Sequence, residues 1–328
     1  MRPIDLSRRR LLRAGGSVAA ASIAASLRRT FGADDAANPP PIIDTHQHLW
    51  DLKRFRLPWL DGAGDALNHT HSMTDYLEAA KGLNVVAAIY MEVAVEASQQ
   101  AEEARYVIDL CRRGGTPTIA AVIGGRPEGE DFAAYIGQFA NEKTVKGVRS
   151  SFDAGLASEH FEKNLRHLGE MNLSYDINTG PAGLARAAQV VLRCPDTRFV
   201  LDHCGNADAT QFAGGAAAQN DATIRRTWEQ GISALAERPN VICKISGVME
   251  AAGGKASVEQ YAAVVIYCLD RFGPDRVIFA SNWPVVNKGG SFGDWALCLR
   301  SIMRSRPATE ARKLFHDNAK RFYRLAND

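Results

Sequence analysis

Several common sequence signatures are missing from this chain of 328 residues, and their absence narrows its class. The six cysteines form no CxxC pair, and several, such as Cys243, lie in apolar runs, so we interpret them mainly as buried thiols. No GxGxxG turn follows an early strand, which argues against a doubly wound dinucleotide-binding sheet. No repeat of fixed period occurs either, which argues against a solenoid or a propeller.

The chain also lacks a basic surplus once its first residues are set aside. Residues 1–33 hold seven arginines and one aspartate, so that 32 basic and 36 acidic side chains remain in the rest. The formal net charge of +2 for the whole chain therefore becomes −4 for the remainder. This balance gives no indication of a nucleic-acid partner or of a membrane-surface partner.

The first 33 residues have the form of a bacterial export signal. Arg8 and Arg9 precede an apolar run at 14–27, which is too short to span a bilayer comfortably. The arginine pair predicts the twin-arginine translocase as a partner and the periplasm as the location. An amphipathic or disordered basic tail is the alternative interpretation. Residues 34–41 are predicted to be a linker, and residues 42–328 a single domain.

From residue 42 onward, predicted strands and helices alternate, which indicates a (β/α)8 barrel, the TIM barrel. Strands are expected at 42–50, 84–95, 118–123, 145–149, 173–178, 199–203, 241–246 and 276–281. Helices are expected at 74–82, 99–113, 131–140, 160–171, 182–192, 222–237 and 258–272, with further helix after the last strand. The long irregular stretch at 51–72 is predicted to be a lid or a binding loop.

Polar residues at the strand ends mark the face of the barrel where chemistry is expected. His46 and His48 alternate along the first strand, so their imidazoles share a face and can converge on a metal ion or a substrate oxygen. Asp202 is expected to orient a neighbouring group. Lys244 is expected either to contact substrate or to pair with Glu92 across the barrel. The other strand ends supply Arg149, Asp176 or Asn178, His203, Ser246 and Asn282.

Five motifs in a fixed order resemble the amidohydrolase superfamily. They are DTHQHLW at 44–50, LDHCG at 201–205, KISG at 244–247, FASNWPV at 279–285 and NAKRFY at 318–323. Together they are similar to the amidohydrolase-related branch that includes sugar lactonases and pyrone-dicarboxylate lactonase. The resemblance spans about residues 42–325 and implies a TIM barrel that hydrolyses the C–O bond of a lactone.

The resemblance also implies roles for individual residues. His46, His48 and His203 would surround the substrate carbonyl or one divalent metal, with zinc the expected ion. Arg149 would hold an anionic or hydroxyl-bearing group of a small-molecule substrate. The further residues expected to bind substrate are Glu92, Lys244, Trp50 and Trp283.

One strand end departs from the family pattern. Where the eighth strand of the family usually carries an aspartate that serves as general base, this chain has Asn282, whose amide cannot take a proton at neutral pH and is a poor metal ligand. Arg149 stands where binuclear members carry a carboxylated lysine, so we expect no metal or one metal. Glu92 or a neutral histidine would then activate the water.

Three functions stay open on this evidence. A hydrolase that opens a lactone or a related ester is the preferred one. A metal-dependent decarboxylase of the same superfamily is the second, although Asn282 weakens its ligand set. A barrel that binds its ligand and has lost the chemistry is the third. We expect modest turnover that rises when Asn282→Asp restores the carboxylate, and the sequence predicts neither the substrate nor the oligomeric state.

Overall fold

The computed structural model describes residues 40–212 and 218–326, and within them eight parallel strands form one nearly closed barrel. Each strand pairs with the next one in sequence order. This confirms the predicted (β/α)8 architecture. The strands are β1 (Ile42–Gln47), β2 (Val85–Met91), β3 (Thr118–Gly124), β4 (Val145–Ser151), β5 (Ser174–Asn178), β6 (Arg198–Leu201), β7 (Val241–Ile245) and β8 (Val277–Phe279).

One main helix follows each strand along the chain. These helices are α1 (Met73–Ala79), α2 (Gln100–Arg113), α3 (Phe132–Gly137), α4 (Phe161–Glu170), α5 (Leu184–Arg193), α6 (Ala218–Ala236), α7 (Val258–Phe272) and α8 (Phe292–Met303). Helices α1, α7 and α8 each begin at a serine whose side chain forms a capping box with the third helical residue. Among the described residues, none of the helices combines the length and the apolar character that a membrane crossing requires.

Shorter helical segments lie in the loops. Those at the mouth and in the connections are Pro58–Gly62, Ala97–Gln99, Phe152–Gly155, Pro181–Gly183, His203–Asn206, Ala209–Phe212, Val248–Ala251 and Val285–Lys288. The C-terminal segments are Ala308–Arg312, Lys313–Asp317 and Asn318–Phe322. The predicted export signal at 1–33 lies outside the described residues, as does nearly all of the predicted linker at 34–41.

Apolar side chains fill the lower part of the barrel. Inward-facing residues such as Ile89, Val122, Val200 and Ile278 form a buried cluster, and Tyr323 packs against it from the C-terminal segment. A larger buried cluster lies between the strands and the surrounding helices. Because the barrel is packed rather than hollow, a substrate can reach only its mouth.

The first and last strands meet through side chains as well as backbone. The Thr45 hydroxyl donates to the Phe279 carbonyl at 2.7 Å, and the His48 N–H donates to the Trp283 carbonyl at 2.9 Å. The carboxylate of Asp44 accepts from both the backbone N–H and the hydroxyl of Ser281, at 2.8 and 2.6 Å. This seam joins the first-strand motif to the last-strand motif and fixes their relative position.

Candidate active site

A cavity of about 350 Å³ opens at the C-terminal mouth of the barrel. Its walls include four of the predicted catalytic residues: His48 from the end of β1, Arg149 from β4, His203 after β6 and Asn282 after β8. The volume lies at the small end of the range for small-molecule sites. A second cavity, of about 240 Å³, lies between α4 and α5 and contains none of the predicted residues.

The three predicted histidines form one cluster. The Nε2 atoms of His46 and His48 lie 3.1 Å apart, and the ring centroids of His46 and His203 lie 4.5 Å apart. The Nδ1 atom of His48 lies 3.0 Å from the carbonyl oxygen of Met91. Because a carbonyl can only accept, this Nδ1 carries the proton of the neutral ring and leaves a lone pair on Nε2.

Burial lowers the pKa of each of these histidines. The positive charge of Lys244 lowers the pKa of His46 further, and that of Arg149 lowers the pKa of His48 further. Both pKa values therefore lie well below the usual range. The pKa of His203 is lowered to about 4, again chiefly by burial. The imidazoles are therefore neutral at pH 7, where they are weak bases.

A buried charge network lies directly beneath this cluster. The ammonium of Lys244 donates to Asp176 at 2.5 Å, lies 3.1 Å from Asp202 and lies 3.3 Å from Nδ1 of His46. Burial raises the pKa of Asp202, but Lys244 and His46 outweigh it and hold the pKa well below its usual range. The network keeps Asp202 ionised next to His46, and it explains how a charged lysine is tolerated in the interior.

One of the two alternatives predicted for Lys244, an ion pair with Glu92, is wrong. Lys244 lies on β7, beside β6, and reaches the carboxylates of Asp176 and Asp202 on its own side of the barrel. Glu92 instead accepts from Nε of Arg149 at 2.6 Å, while its backbone carbonyl accepts from Nη2 at 2.8 Å. The guanidinium is thereby held by two bonds, and its Nη1 lies 3.3 Å from Nε2 of His46.

The four predicted substrate-binding residues are not among those that line the cavity. Trp50 is buried and donates to the His69 carbonyl at 2.6 Å, while Trp283 is buried against His71 and Tyr76. Glu92 and Lys244 contact other side chains, as described above. Hydrogen bonds hold Trp50, Glu92 and Lys244 away from the cavity, and aromatic packing does the same for Trp283.

An aromatic residue outside the predicted site residues reaches the cavity instead. Trp59 lies in the irregular stretch at 51–72 and donates to the Val93 carbonyl at 2.8 Å. It also packs edge-on against Trp50, with ring centroids 5.6 Å apart. The stretch therefore forms part of the cavity wall, in agreement with the binding loop predicted there.

Glu250 is the second residue that the sequence analysis missed. It lies on the short helix Val248–Ala251 after β7 and lines the cavity. The side-chain amide of Asn282 donates a hydrogen bond to its Oε1 atom. Burial raises the pKa of Glu250 to about 7, although the bond from Asn282 opposes that rise. Its signal in the sequence was weak, because it lies beyond the strand end among small and apolar residues.

The backbone before Glu250 has a conformation that requires glycine. Gly247 has a φ of +81°, in the left-handed region. A Cβ atom there would lie 2.2 Å from the Cβ atom of His203. Gly247 therefore allows the turn after β7 to pass directly beside His203, and this places Glu250 on the cavity wall.

The site residues fit one divalent metal ion. His46, Asp202 and His203 each place a donor atom within 4.8 Å of the others. Both carboxylate oxygens of Asp202 are buried and make no hydrogen bond among the described residues, although Oδ1 is ion-paired with Lys244 at 3.1 Å and Oδ2 with Arg149 at 3.8 Å. Imidazole and carboxylate donors are typical of zinc sites. Two cations, Arg149 and Lys244, already lie 3.3 Å from His46 nitrogens. Their charge opposes a second metal ion, so the site is compatible with none or one.

Comparison with known proteins identifies the family. The model of the family described as Amidohydrolase matches residues 43–325. An L-fucono-1,5-lactonase from Burkholderia ambifaria is 27% identical over 293 residues, which cover 86% of this chain and 95% of that protein. The chain therefore belongs to the amidohydrolase family and is an enzyme of the hydrolase class, as its motifs predicted.

Solved structures agree on the fold. An amidohydrolase from Burkholderia multivorans with bound zinc matches with a TM-score of 0.74 at 24% identity, covering 87% of this chain and 100% of that one. A probable 2-pyrone-4,6-dicarboxylic acid hydrolase from Acinetobacter baumannii with bound citric acid matches with a TM-score of 0.66 at 14% identity, covering 87% and 99%. At these identities the likeness shows a shared barrel and leaves the substrate open.

Proposed function

We propose that the chain hydrolyses a lactone, opening the ring of a small anionic or hydroxylated substrate at the mouth of the barrel. The observation that carries this proposal is the wall of the cavity, where Arg149 and His203 are placed with the Glu250–Asn282 pair around a space of about 350 Å³. A cation, a neutral imidazole and a carboxylate are the groups that water attack on an ester carbonyl needs. The name of the lactonase relative supports the substrate class.

Arg149 is the group placed to hold negative charge. Its guanidinium is bound to Glu92 through Nε and Nη2, so Nη1 is positioned without loss of side-chain freedom when substrate arrives. Either the carbonyl oxygen, as it gains charge, or a carboxylate of the substrate would receive its hydrogen bond. A donor of this kind is worth about 3–4 kcal/mol when the charge develops in the transition state.

Hydrogen-bond partners define the tautomers of neutral His46 and His48. Lys244 donates to Nδ1 of His46, which leaves the proton of that ring on Nε2, directed at the lone pair of His48. Nδ1 of His203 and the Ser246 hydroxyl form a hydrogen bond of 2.9 Å. This chain of bonds orients His48 and His203 on the cavity wall.

The site can hold a metal ion, but the proposed reaction does not require one. His46 and His203, with Asp202, would hold a zinc ion, which when bound would polarise the lactone carbonyl. The binding of one ion would compete with Lys244 for the lone pair on Nδ1 of His46.

The experiment is a panel of sugar lactones and pyrone or muconate lactones, followed by acid release in a weakly buffered solution at pH 7. His203→Ala should lower kcat/KM by about 10²–10³-fold, whereas His167→Ala on the outer helix α4 should leave it unchanged. Tight binding of one lactone with no ring opening would favour the binding barrel. Release of carbon dioxide from a carboxylated substrate would favour the decarboxylase.

A further inference from the structure

We infer that Glu250 accepts the proton of the attacking water, a role that the family resemblance assigns to an aspartate at the position of Asn282. This inference rests on the proposed lactone hydrolysis. The two side chains are hydrogen-bonded to each other and both line the cavity. A carboxylate is thus present beside the position where this chain carries an amide, delivered from the turn after β7.

The other carboxylates near the mouth are engaged elsewhere. Glu92 is paired with Arg149 and accepts from the backbone N–H of Ala94 at 2.6 Å. Asp176 and Asp202 are fully buried against Lys244, and Asp44 is bound by Ser281 and Tyr76. Among the described residues that line the cavity, Glu250 is the single carboxylate.

Asn282 has a defined task in this arrangement. Its amide donates to Oε1 of Glu250 and is neutral, so it fixes the carboxylate without repelling it. An aspartate in its place would bring two carboxylates into contact, and such a pair holds a shared proton near neutral pH. The Asn282 amide therefore positions the Glu250 carboxylate, in addition to replacing the aspartate that the family resemblance implies.

The surroundings of Glu250 suit a base that works near neutral pH. Burial raises its pKa to about 7, and a base is most effective when its pKa lies near the operating pH. Lys288 on the segment after β8 lowers the pKa, and Cys204 raises it. The titratable and charged groups on the elements around it are Lys288, His203, Cys204, Tyr261, Arg149 and His48.

The reaction step balances without any further reactant. Glu250 takes a proton from water as the water oxygen forms a bond to the lactone carbonyl carbon, and the π electron pair moves to the carbonyl oxygen. When this intermediate collapses, the bond from that carbon to the ring oxygen breaks. The ring oxygen receives the proton from Glu250, and the product is a hydroxy acid.

The test exchanges the carboxylate of Glu250 and the amide of Asn282 between the two positions. Glu250→Gln should lower kcat/KM by about 10²–10⁴-fold, the usual worth of a general base, and should abolish the rise in wild-type kcat/KM through a pH of about 7. The double variant Glu250→Gln with Asn282→Asp restores one carboxylate and one amide in exchanged positions. It should recover part of the lost activity, with a new pH profile. Glu237→Gln, at an exposed ion pair on the outside of the barrel, is the matched control.

The single variant Asn282→Asp separates two interpretations of this position. The sequence alone predicts faster turnover, whereas a Glu250 base predicts slower turnover at pH 7 and an activity limb shifted to higher pH. Full activity in Glu250→Gln, with the wild-type pH profile, would overturn the inference while leaving lactone hydrolysis intact. A wild-type protein inert on every lactone would overturn the proposed function and the inference together. Circular dichroism and thermal unfolding of each variant establish that it is folded.

Discussion

The ammonium nitrogen of Lys244 lies 2.5 Å from Oδ2 of Asp176, and both side chains are completely buried. Oδ1 of Asp202 lies 3.1 Å from the same ammonium group. This triad lies below the histidines and makes no part of the cavity wall. Its charge nevertheless reaches the site, because Lys244 also contacts His46.

Removing the cation of this triad should destabilise the fold. Lys244→Met leaves two buried carboxylates without their partner, and we expect the free energy of unfolding to fall by about 3–5 kcal/mol. The measurement is urea unfolding followed by circular dichroism. Lys313→Met is the control, because its 2.8 Å pair with Asp275 is exposed and should contribute about 1 kcal/mol or less. Equal losses in both variants would contradict a structural role for the triad.

Substitution of Arg149 should separate substrate binding from stability. Arg149→Lys keeps a positive charge but cannot bond Glu92 through two nitrogens. We expect kcat/KM to fall by about 10²-fold, since a misplaced donor loses transition-state stabilisation. Arg149→Met should in addition lower stability, because Glu92 is left buried and unpaired. Steady-state kinetics and thermal unfolding are measured on both, and unchanged kinetics in Arg149→Lys would contradict the proposed contact.

Metal removal is expected to leave turnover in place. The donors of His46, Asp202 and His203 fit one ion, but Arg149 and Lys244 supply positive charge at the same point. We expect purified protein to bind at most one zinc per chain and to keep its activity after chelation. The measurements are metal content and kcat/KM before and after treatment with a chelator and after zinc addition. Strict zinc dependence would show that the metal-bound state is the active one.

Export is expected to depend on Arg8 and Arg9. We propose that the twin-arginine translocase delivers the chain to the periplasm, because a paired arginine stands before a short apolar run. Replacing both with lysine should leave the precursor in the cytosol, as seen by fractionation and immunoblotting. Arg28 and Arg29, replaced in the same way, form the control pair. Normal delivery of the Arg8 and Arg9 variant would exclude this route.

The barrel could be predicted because its signals are local. Apolar runs such as those around Val122 and Ile242 show the strands directly, and alternation with helical segments leaves few architectures. Boundaries were less accurate, since the second strand was expected to reach residue 95 and ends at Met91, and the eighth was expected to reach residue 281 and ends at Phe279. At the eighth strand the reason is tertiary, because Ser281 leaves the ladder to bond the Asp44 carboxylate.

The site could be predicted only in part, because side-chain pairing depends on distances that the sequence does not contain. The strand-end rule brought His48, Arg149, His203 and Asn282 to one cavity. It could not show which carboxylate each cation would contact, and the ion pair with Glu92 that it offered as one alternative for Lys244 was wrong. Trp59 and Glu250 lie on loops beyond the strand ends. Neither belongs to a periodic pattern, so the strand-end rule did not predict them.

The contacts between β1 and β8 can form only after most of the barrel has been synthesised on the ribosome. Asp44 and Ser281, which hold the two halves of the site in register, are separated by 237 positions. A nascent chain can therefore hold seven strands of the barrel and still lack both the seam and Asn282. Until the eighth strand emerges, the outer edges of the first and seventh strands have no partner, and such edges invite association with other chains. The cavity wall that contains Asn282 is therefore complete only after the eighth strand has joined the barrel.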